Sequence, residues 1–346
     1  MQNRKHVLHS DLEYFIKIIT SLPNSCLDDR NMINLLIYVF VLLFLIIVLS
    51  TIFTIIITQK IKRSIPKFGK TTVLQNAEIH WYEAGQGRPI IMLHGLAGNL
   101  RNFTYTLTEQ LDKDYRVIAI DRAGCGWSKR SKPEIATLQG QARIISEFIE
   151  QEQIEKPLIV GHSLGGAIAL ALALEYRNQI AGLALICPAT QPVDKVPDIF
   201  RFLNISSPSL RFFVAHTLSS FIGILTRKDT FEIAFAPEPV SENFSIRGGG
   251  DLALSSNAFI KTSEDLVFAL SSAPLLVGRE QELDVPTKIL FGEQDEILDA
   301  KIHGEKFAKL SGAQIKILSG KGHMLPLTQP EECSAFIRSM MDETSI

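Results

Sequence analysis

The sequence predicts an α/β fold, a mainly parallel sheet covered by helices on both faces, preceded by one N-terminal transmembrane helix. Three observations carry this expectation. After Lys70, short apolar runs recur with helical patterns between most of them, the alternation that builds parallel sheets buried on both sides. From Asn31 to Gln59 no residue is charged. One connection between two of the apolar runs is about 100 residues long, where a few residues are usual, and so marks an insertion.

Composition sets the outer limits. A chain of 346 residues exceeds one core of ordinary size, which allows one large domain plus extra segments. The formal net charge is −2 with acids and bases mixed, so nothing points to nucleic-acid binding. The hydrophobic share of 46% is ordinary for a soluble globule, but the average conceals the uncharged block. The four cysteines, Cys26, Cys125, Cys187 and Cys333, lie far apart with no CxxC pair and no histidine at metal-ligand spacing. They read as free thiols, and no metal site is expected.

Residues 1–30 form an N-terminal tail. Within it Val7 to Leu22 carries apolar positions at helical spacing, which suits an interfacial helix, and an unstructured tail fits equally well. Residues 31–59 are the expected transmembrane helix, longer than the roughly 20 residues a bilayer core requires. Buried core helices run about 8–20 residues with one polar face; this run is apolar all round. A cleaved signal peptide fits poorly, because the run starts late and ends in QKIKRS without a small-residue cleavage site. Residues 60–72 read as a basic linker. Lys60, Lys62, Arg63, Lys67 and Lys70 follow the span, against Asp28, Asp29 and Arg30 before it. By the positive-inside rule the remainder of the chain is then cytoplasmic.

The main domain is expected over 73–340. Ala77 to Glu83 alternates like a strand and Gly85 to Gly87 turns. The apolar runs PIIML (89–93), RVIAI (116–120), PLIV (157–160), GLALI (182–186), TKILFG (287–292) and QIKIL (314–318) read as further strands. Helical patterns cover Thr137 to Glu152, Leu164 to Tyr176 and Ala300 to Leu310. In such sheets chemistry sits beyond the carboxyl ends of the strands, and the motifs fall there.

The run PLIV passes directly into Gly161-His162-Ser163-Leu164-Gly165-Gly166 and then a helix. This is G-x-S-x-G in strand–turn–helix context, which puts a nucleophilic serine on a sharp turn. Flanking glycines let strand and helix approach, and the helix N-terminus aims partial positive charge at Ser163. The N–H of Leu164 is then placed to donate to an oxyanion. His94-Gly95-Leu96 follows PIIML and supplies a second donor, the N–H of Leu96, while the His94 ring shapes the loop. The strand TKILFG runs into Glu293, Asp295, Glu296 and Asp299. Residue type alone does not choose among four acids; the reading places the acid that orients an imidazole at Asp295 and leaves surface charge to its neighbours. His323 lies in the loop after the last strand and reads as the general base, giving the chain order Ser163, Asp295, His323. His6, His9, His80, His162, His216 and His303 lack such context.

Together HGLAG, DRAGCGWS (121–128), GHSLGG, FGEQDEIL and GKGHMLPLTQP resemble the α/β-hydrolase superfamily, in its esterase and monoacylglycerol-lipase-like branch with an N-terminal membrane segment. The resemblance implies an eight-stranded sheet, a Ser163–Asp295–His323 triad, oxyanion donors at Leu96 and Leu164, and no cofactor. It makes DRAGCGWS structural, and the long insertion, about 188–284, a helical cap. Ten phenylalanines crowd that insertion, among them Phe200, Phe202, Phe231 and Phe259. Most are expected to pack the cap on itself and several to line an apolar acyl slot. The expected activity is hydrolysis of a small ester or lipid, such as a monoacylglycerol, at a lipid bilayer. The alternative is cleavage of a carbon–carbon, thioester or amide bond by the same triad, since fold does not fix substrate. A catalytically dead, membrane-tethered binding protein is the remaining reading.

Overall fold

Helix α1 (Asp29–Ser64) takes in the whole uncharged stretch. The computed structural model describes residues 29–193 and 195–344; the tail pattern at Val7 to Leu22 and Cys26 lie outside them. The chain separates into two units, Met1–Ile52 and Phe53–Ile346. In the first, the side chains of α1 are apolar and exposed on all sides; the most apolar window has a mean hydropathy of 3.2 and is only 6% buried. A soluble core helix would hide such a surface, so this one is a candidate membrane anchor. At 1.5 Å per residue the helix reaches about 54 Å, well beyond a bilayer core of about 30 Å.

The second unit begins inside α1. Thr54 and Ile61 are buried, and Ile61 packs with Ile65 and Leu252, flanked by Ile57 and Leu254. Residues 60–72 therefore differ from a plain basic linker: α1 runs to Ser64, and β1 begins at Lys70. The reason is an apolar stripe at four-residue spacing, Ile57, Ile61 and Ile65, running between the lysines.

Among the described residues nine strands form one sheet: β1 (Lys70–Val73), β2 (Ala77–Ala84), β3 (Pro89–Leu93), β4 (Arg116–Ile120), β5 (Lys129–Arg130), β6 (Leu158–His162), β7 (Gly182–Ile186), β8 (Thr287–Gly292) and β9 (Gln314–Leu318). Their order is β1-β2-β4-β3-β6-β7-β8-β9, with the two-residue β5 on β2. β2 is antiparallel to β1, β4 and β5, and from β4 to β9 every pairing is parallel. The eight strands of the path match the expected sheet. β1 and β5 escaped sequence reading because KTTV and KR are polar edge segments with no apolar run. The central strands are buried along almost their whole length, which is why they read as unbroken apolar runs.

Helix α2 (Leu138–Gln151) starts where the Thr137 hydroxyl accepts the Gly140 N–H at 3.0 Å, an N-cap. Helix α3 (Leu164–Tyr176) follows β6 directly. The insertion between β7 and β8 is helical, with α4 (Pro208–Thr217), α5 (Ser219–Phe235) and α6 (Ser256–Ser272), and 3₁₀ turns before α4 (Asp198–Leu203) and before α6 (Gly250–Leu254). Phe231, Phe235 and Phe244 pack edge to face at 4.9–5.0 Å beside Leu327. That cluster ties the cap to the turn before α7 (Pro330–Glu343). Phe212, Phe213 and Phe221 are exposed instead.

The burial at the end of α1 generates a prediction. Ile65→Ala in the full chain is expected to cost about 2 kcal/mol or more, because Ile65 is fully buried. Thermal melting in detergent reads this directly; an unchanged melting temperature would show that the helix end is not packed as described.

Candidate active site

Ser163 stands between β6 and α3 with φ 54° and ψ −121°, a backbone conformation that is costly for any residue but glycine. Its surroundings enforce it. The Ser163 N–H donates to the Ile186 carbonyl at 3.1 Å, and its own carbonyl accepts the N–H groups of Gly166 (2.9 Å) and Ala189 (3.0 Å). A Cβ on Gly165 would fall 2.0 Å from the Leu93 carbonyl oxygen, so α3 approaches β3 as closely as only glycine permits. The first helical N–H, that of Leu164, has no acceptor within its own helix, and the helix dipole adds partial positive charge there.

The turn after β3 lies against this serine. A Cβ on Gly95 would meet the Ser163 Cβ at 2.9 Å and its Oγ at 3.3 Å. The His94 Nδ1–H donates to the Gly95 carbonyl (2.9 Å), and its Nε2 accepts the Arg122 N–H (3.1 Å). That pattern requires a neutral ring, and burial, reinforced by the Arg122 charge, pushes its pKa down to about 3. The fully buried Arg122 guanidinium donates to the carbonyls of His94 (2.9 Å) and Gly95 (3.1 Å). Its remaining bond is to Asp265 at 2.9 Å, on cap helix α6, which also pairs with Arg130. Burial opposes charge on Asp265, yet Arg130 and Arg122 hold its carboxyl below the usual value. DRAGCGWS is thus where the cap and the His94–Gly95 turn are tied together. Sequence reading missed Asp265, whose partner Arg122 is 143 residues away.

Of the four acids after β8, Asp295 alone meets His323. The His323 Nδ1–H donates to Asp295 Oδ2 at 2.6 Å, and Oδ1 accepts the N–H groups of Ile297 (2.8 Å) and Leu298 (2.9 Å). Burial disfavours this carboxylate, but His323 and the two N–H groups keep its pKa below the ordinary value. The others are exposed: Glu293 accepts the Ser319 hydroxyl (2.6 Å), and Asp299 caps the π-helical stretch Ala300–Lys306. Cys187 Sγ, Asp295 and His323 place ligand-type atoms within 4.8 Å of one another. As a metal site the group is poorly suited, since burial pushes the thiol well up and the Asp295 oxygens are already taken. Cys125 and Cys333 are likewise free and buried.

Two histidines without sequence context prove structural. The His162 Nε2–H donates to the His323 carbonyl at 3.0 Å, with the two rings 4.9 Å apart; burial and then His323 push its pKa down to about 3. His303 Nδ1 accepts the N–H groups of Thr190 (3.2 Å) and Gln191 (3.3 Å), and burial pushes it down to about 4. The structure therefore joins Asp295 to His323 and seats Gly95 on Ser163, while Ser163 Oγ makes no hydrogen bond among the described residues. Ser163 and Leu96 open on a cavity of about 100 Å³, walled by Leu138, Leu164, Phe200, Leu266 and Ile297. Of the ten cap phenylalanines Phe200 borders this cavity, Phe200, Phe202, Phe231 and Phe259 border a second cavity in the cap, and Phe212, Phe213 and Phe221 face outward.

Comparison with known proteins agrees with this fold. The family profile described as alpha/beta hydrolase fold matches residues 88–214. The chain is similar to monoacylglycerol lipase ABHD6 of Bos taurus, 22% identical over 262 residues that cover 73% of this chain and 76% of that protein. Among solved structures it superposes on an esterase from Exiguobacterium antarcticum with a TM-score of 0.62 and 21% identity, covering 80% of this chain and 100% of that one. A bacterial membrane phospholipase A gives a TM-score of 0.61 at 20% identity, over 92% of this chain and 99% of that one.

Neutral burial of His94, His162 and His303 predicts an acid-labile fold. Their folded pKa values lie below the unfolded value of 6.5, so the unfolded chain binds protons first. Stability is lost as pH falls from 6.5, by about 2 kcal/mol per histidine at pH 5. Asp265 and Asp295, whose values are lowered from 3.8, stabilise above that pH and lose their contribution only below it. Melting in detergent should therefore drop clearly between pH 7 and pH 5; equal melting temperatures would contradict the neutral burial.

Proposed function

We propose that this chain, which has the α/β-hydrolase fold, is a membrane-anchored serine hydrolase that cleaves a carboxylic ester of a lipid such as a monoacylglycerol. One observation carries the reading: Ser163 is held on a strained turn at the wall of an apolar cavity that is also bordered by Ile297 and Leu298, whose N–H groups bind the Asp295 of a buried Asp295–His323 pair. In this reading Ser163 Oγ attacks the ester carbonyl. His323 takes its proton through Nε2, because Nδ1 is committed to Asp295. Asp295 stays ionised and stabilises the imidazolium. The N–H groups of Leu96 and Leu164 receive the oxyanion. His323 then protonates the leaving alcohol, and a water molecule activated by the same ring releases the acid from the acyl-enzyme.

The cavity wall supports an acyl chain. Among the described residues Gln191 is the only polar side chain that borders it beside Ser163, which leaves little there to recognise the polar acids that carbon–carbon hydrolases cleave. Similarity to a protein named monoacylglycerol lipase supports the same substrate class. The exposed apolar part of α1 supports a single-pass anchor in the bilayer. The basic residues Lys60, Lys62, Arg63, Lys67 and Lys70 support a cytoplasmic catalytic domain.

Ser163→Ala and His323→Ala are each expected to lower kcat by about 10⁴-fold or more, with Asp295→Asn retaining more activity than either. Turnover of p-nitrophenyl esters by the folded variants measures this, and a Ser163→Ala protein with wild-type kcat would defeat the mechanism. For topology, the full chain should stay in membranes after carbonate washing, and its catalytic domain should resist protease added to intact cells. Digestion from outside would reverse the orientation.

A further inference from the structure

Two cavities meet at one side chain. Phe200, half-buried on the 3₁₀ turn Asp198–Leu203, borders the cavity of about 100 Å³ at Ser163. It also borders a second cavity of about 420 Å³ within the cap, walled by Leu203, Ile222, Phe231, Leu254 and Phe259. The two spaces flank one turn of the main domain: Leu96 faces the smaller and Ala97 the larger. Phe202 and Ile233, each 40% exposed, line the larger cavity and give it an apolar mouth. Charged side chains border it at Asp198, Arg227 and Asp229, but Arg227 is paired with Asp251 at 2.9 Å.

We propose that the larger cavity is the distal acyl-chain site of the enzyme and that Phe200 is the partition that sets acyl-chain length. This rests on the reading of Ser163 as the nucleophile of an ester hydrolase. In that reading Leu96 and Leu164 fix the ester carbonyl at the smaller cavity. An apolar cavity of about 150 Å³ is known to hold one benzene, so about 100 Å³ accepts an acyl group of a few carbons and no more. A longer chain has to leave that space. Phe200 is the wall it shares with an apolar volume some four times larger, and rotation of one aromatic side chain about χ1 joins the two. The hydrocarbon end then gains the burial that raises efficiency with each added methylene. The larger cavity thus takes carbons beyond the first few and discriminates against short esters only through what they fail to bury.

The test compares kcat/KM for p-nitrophenyl dodecanoate with that for p-nitrophenyl butyrate, both below their critical micelle concentrations, on the full chain in detergent. The ratio is read because it cancels losses common to both esters. Phe200→Ala is expected to raise it about tenfold and Phe200→Trp to lower it by a similar factor. Ile222→Trp fills the larger cavity from a position that does not border the smaller one, and should lower the ratio as well. A wild-type ratio in Ile222→Trp, or equal changes for both esters in Phe200→Ala, would overturn the partition. Wild-type protein that turns over neither ester would remove the ester-hydrolase reading and the partition with it, a result distinct from an unmoved ratio.

Discussion

The close approach of α3 to β3 at Gly165 is the constraint on which the rest of the site depends. With no side chain between Gly165 and the Leu93 carbonyl, the helix starts directly beneath the end of a neighbouring strand. Ser163 is thereby held at the tip of a turn it would not adopt alone. The parallel register that sets Leu93 opposite Gly161 brings the His94–Leu96 turn beside the serine. Ser163 and both proposed oxyanion donors thus descend from one contact between backbones, and Asp295 and His323, the proposed acid and base, follow β8 and β9 further along the same parallel set.

Around that frame the polar groups are buried with their partners. Arg122 occupies the carbonyls of His94 and Gly95 and ends on Asp265 of the cap. Removing one member of such a buried pair costs about 3–5 kcal/mol, so the cap is bound to the turn it covers by charge as well as by packing. The neutral histidines do the same work without charge: His94 within the turn, His162 on the His323 loop, and His303 on the strand exit at Thr190. A rigid base beneath a cap whose interior is partly empty is the arrangement a hydrolase of apolar chains requires.

Much of this was legible in the sequence for a physical reason. Strands buried on both faces must be apolar throughout, so β3, β4, β6, β7 and β8 announce themselves. The G-x-S-x-G turn is legible because its glycines answer a local steric demand. Residue type did not separate Asp295, the acid chosen from the sequence, from three neighbouring acids; in three dimensions it alone meets His323 and the others are exposed. Asp265 and His162 were hidden because their partners are distant in the chain, and neither stands in a pattern that singles it out. Which cap phenylalanines border a cavity was not legible, because an aromatic cluster records burial without saying on which side the cavity lies. The end of α1 was under-read because lysines between Ile57, Ile61 and Ile65 conceal an apolar stripe.

The account stands or falls on Ser163 being an activated nucleophile. The most direct measurement is covalent labelling of the full chain with a fluorophosphonate, followed by mass mapping of the adduct. One adduct per chain is predicted, on the peptide that holds Ser163, formed rapidly by the wild type and slowly when His323 is replaced by alanine. A chain that takes no label, or carries it on another residue at an undiminished rate without His323, would contradict the account.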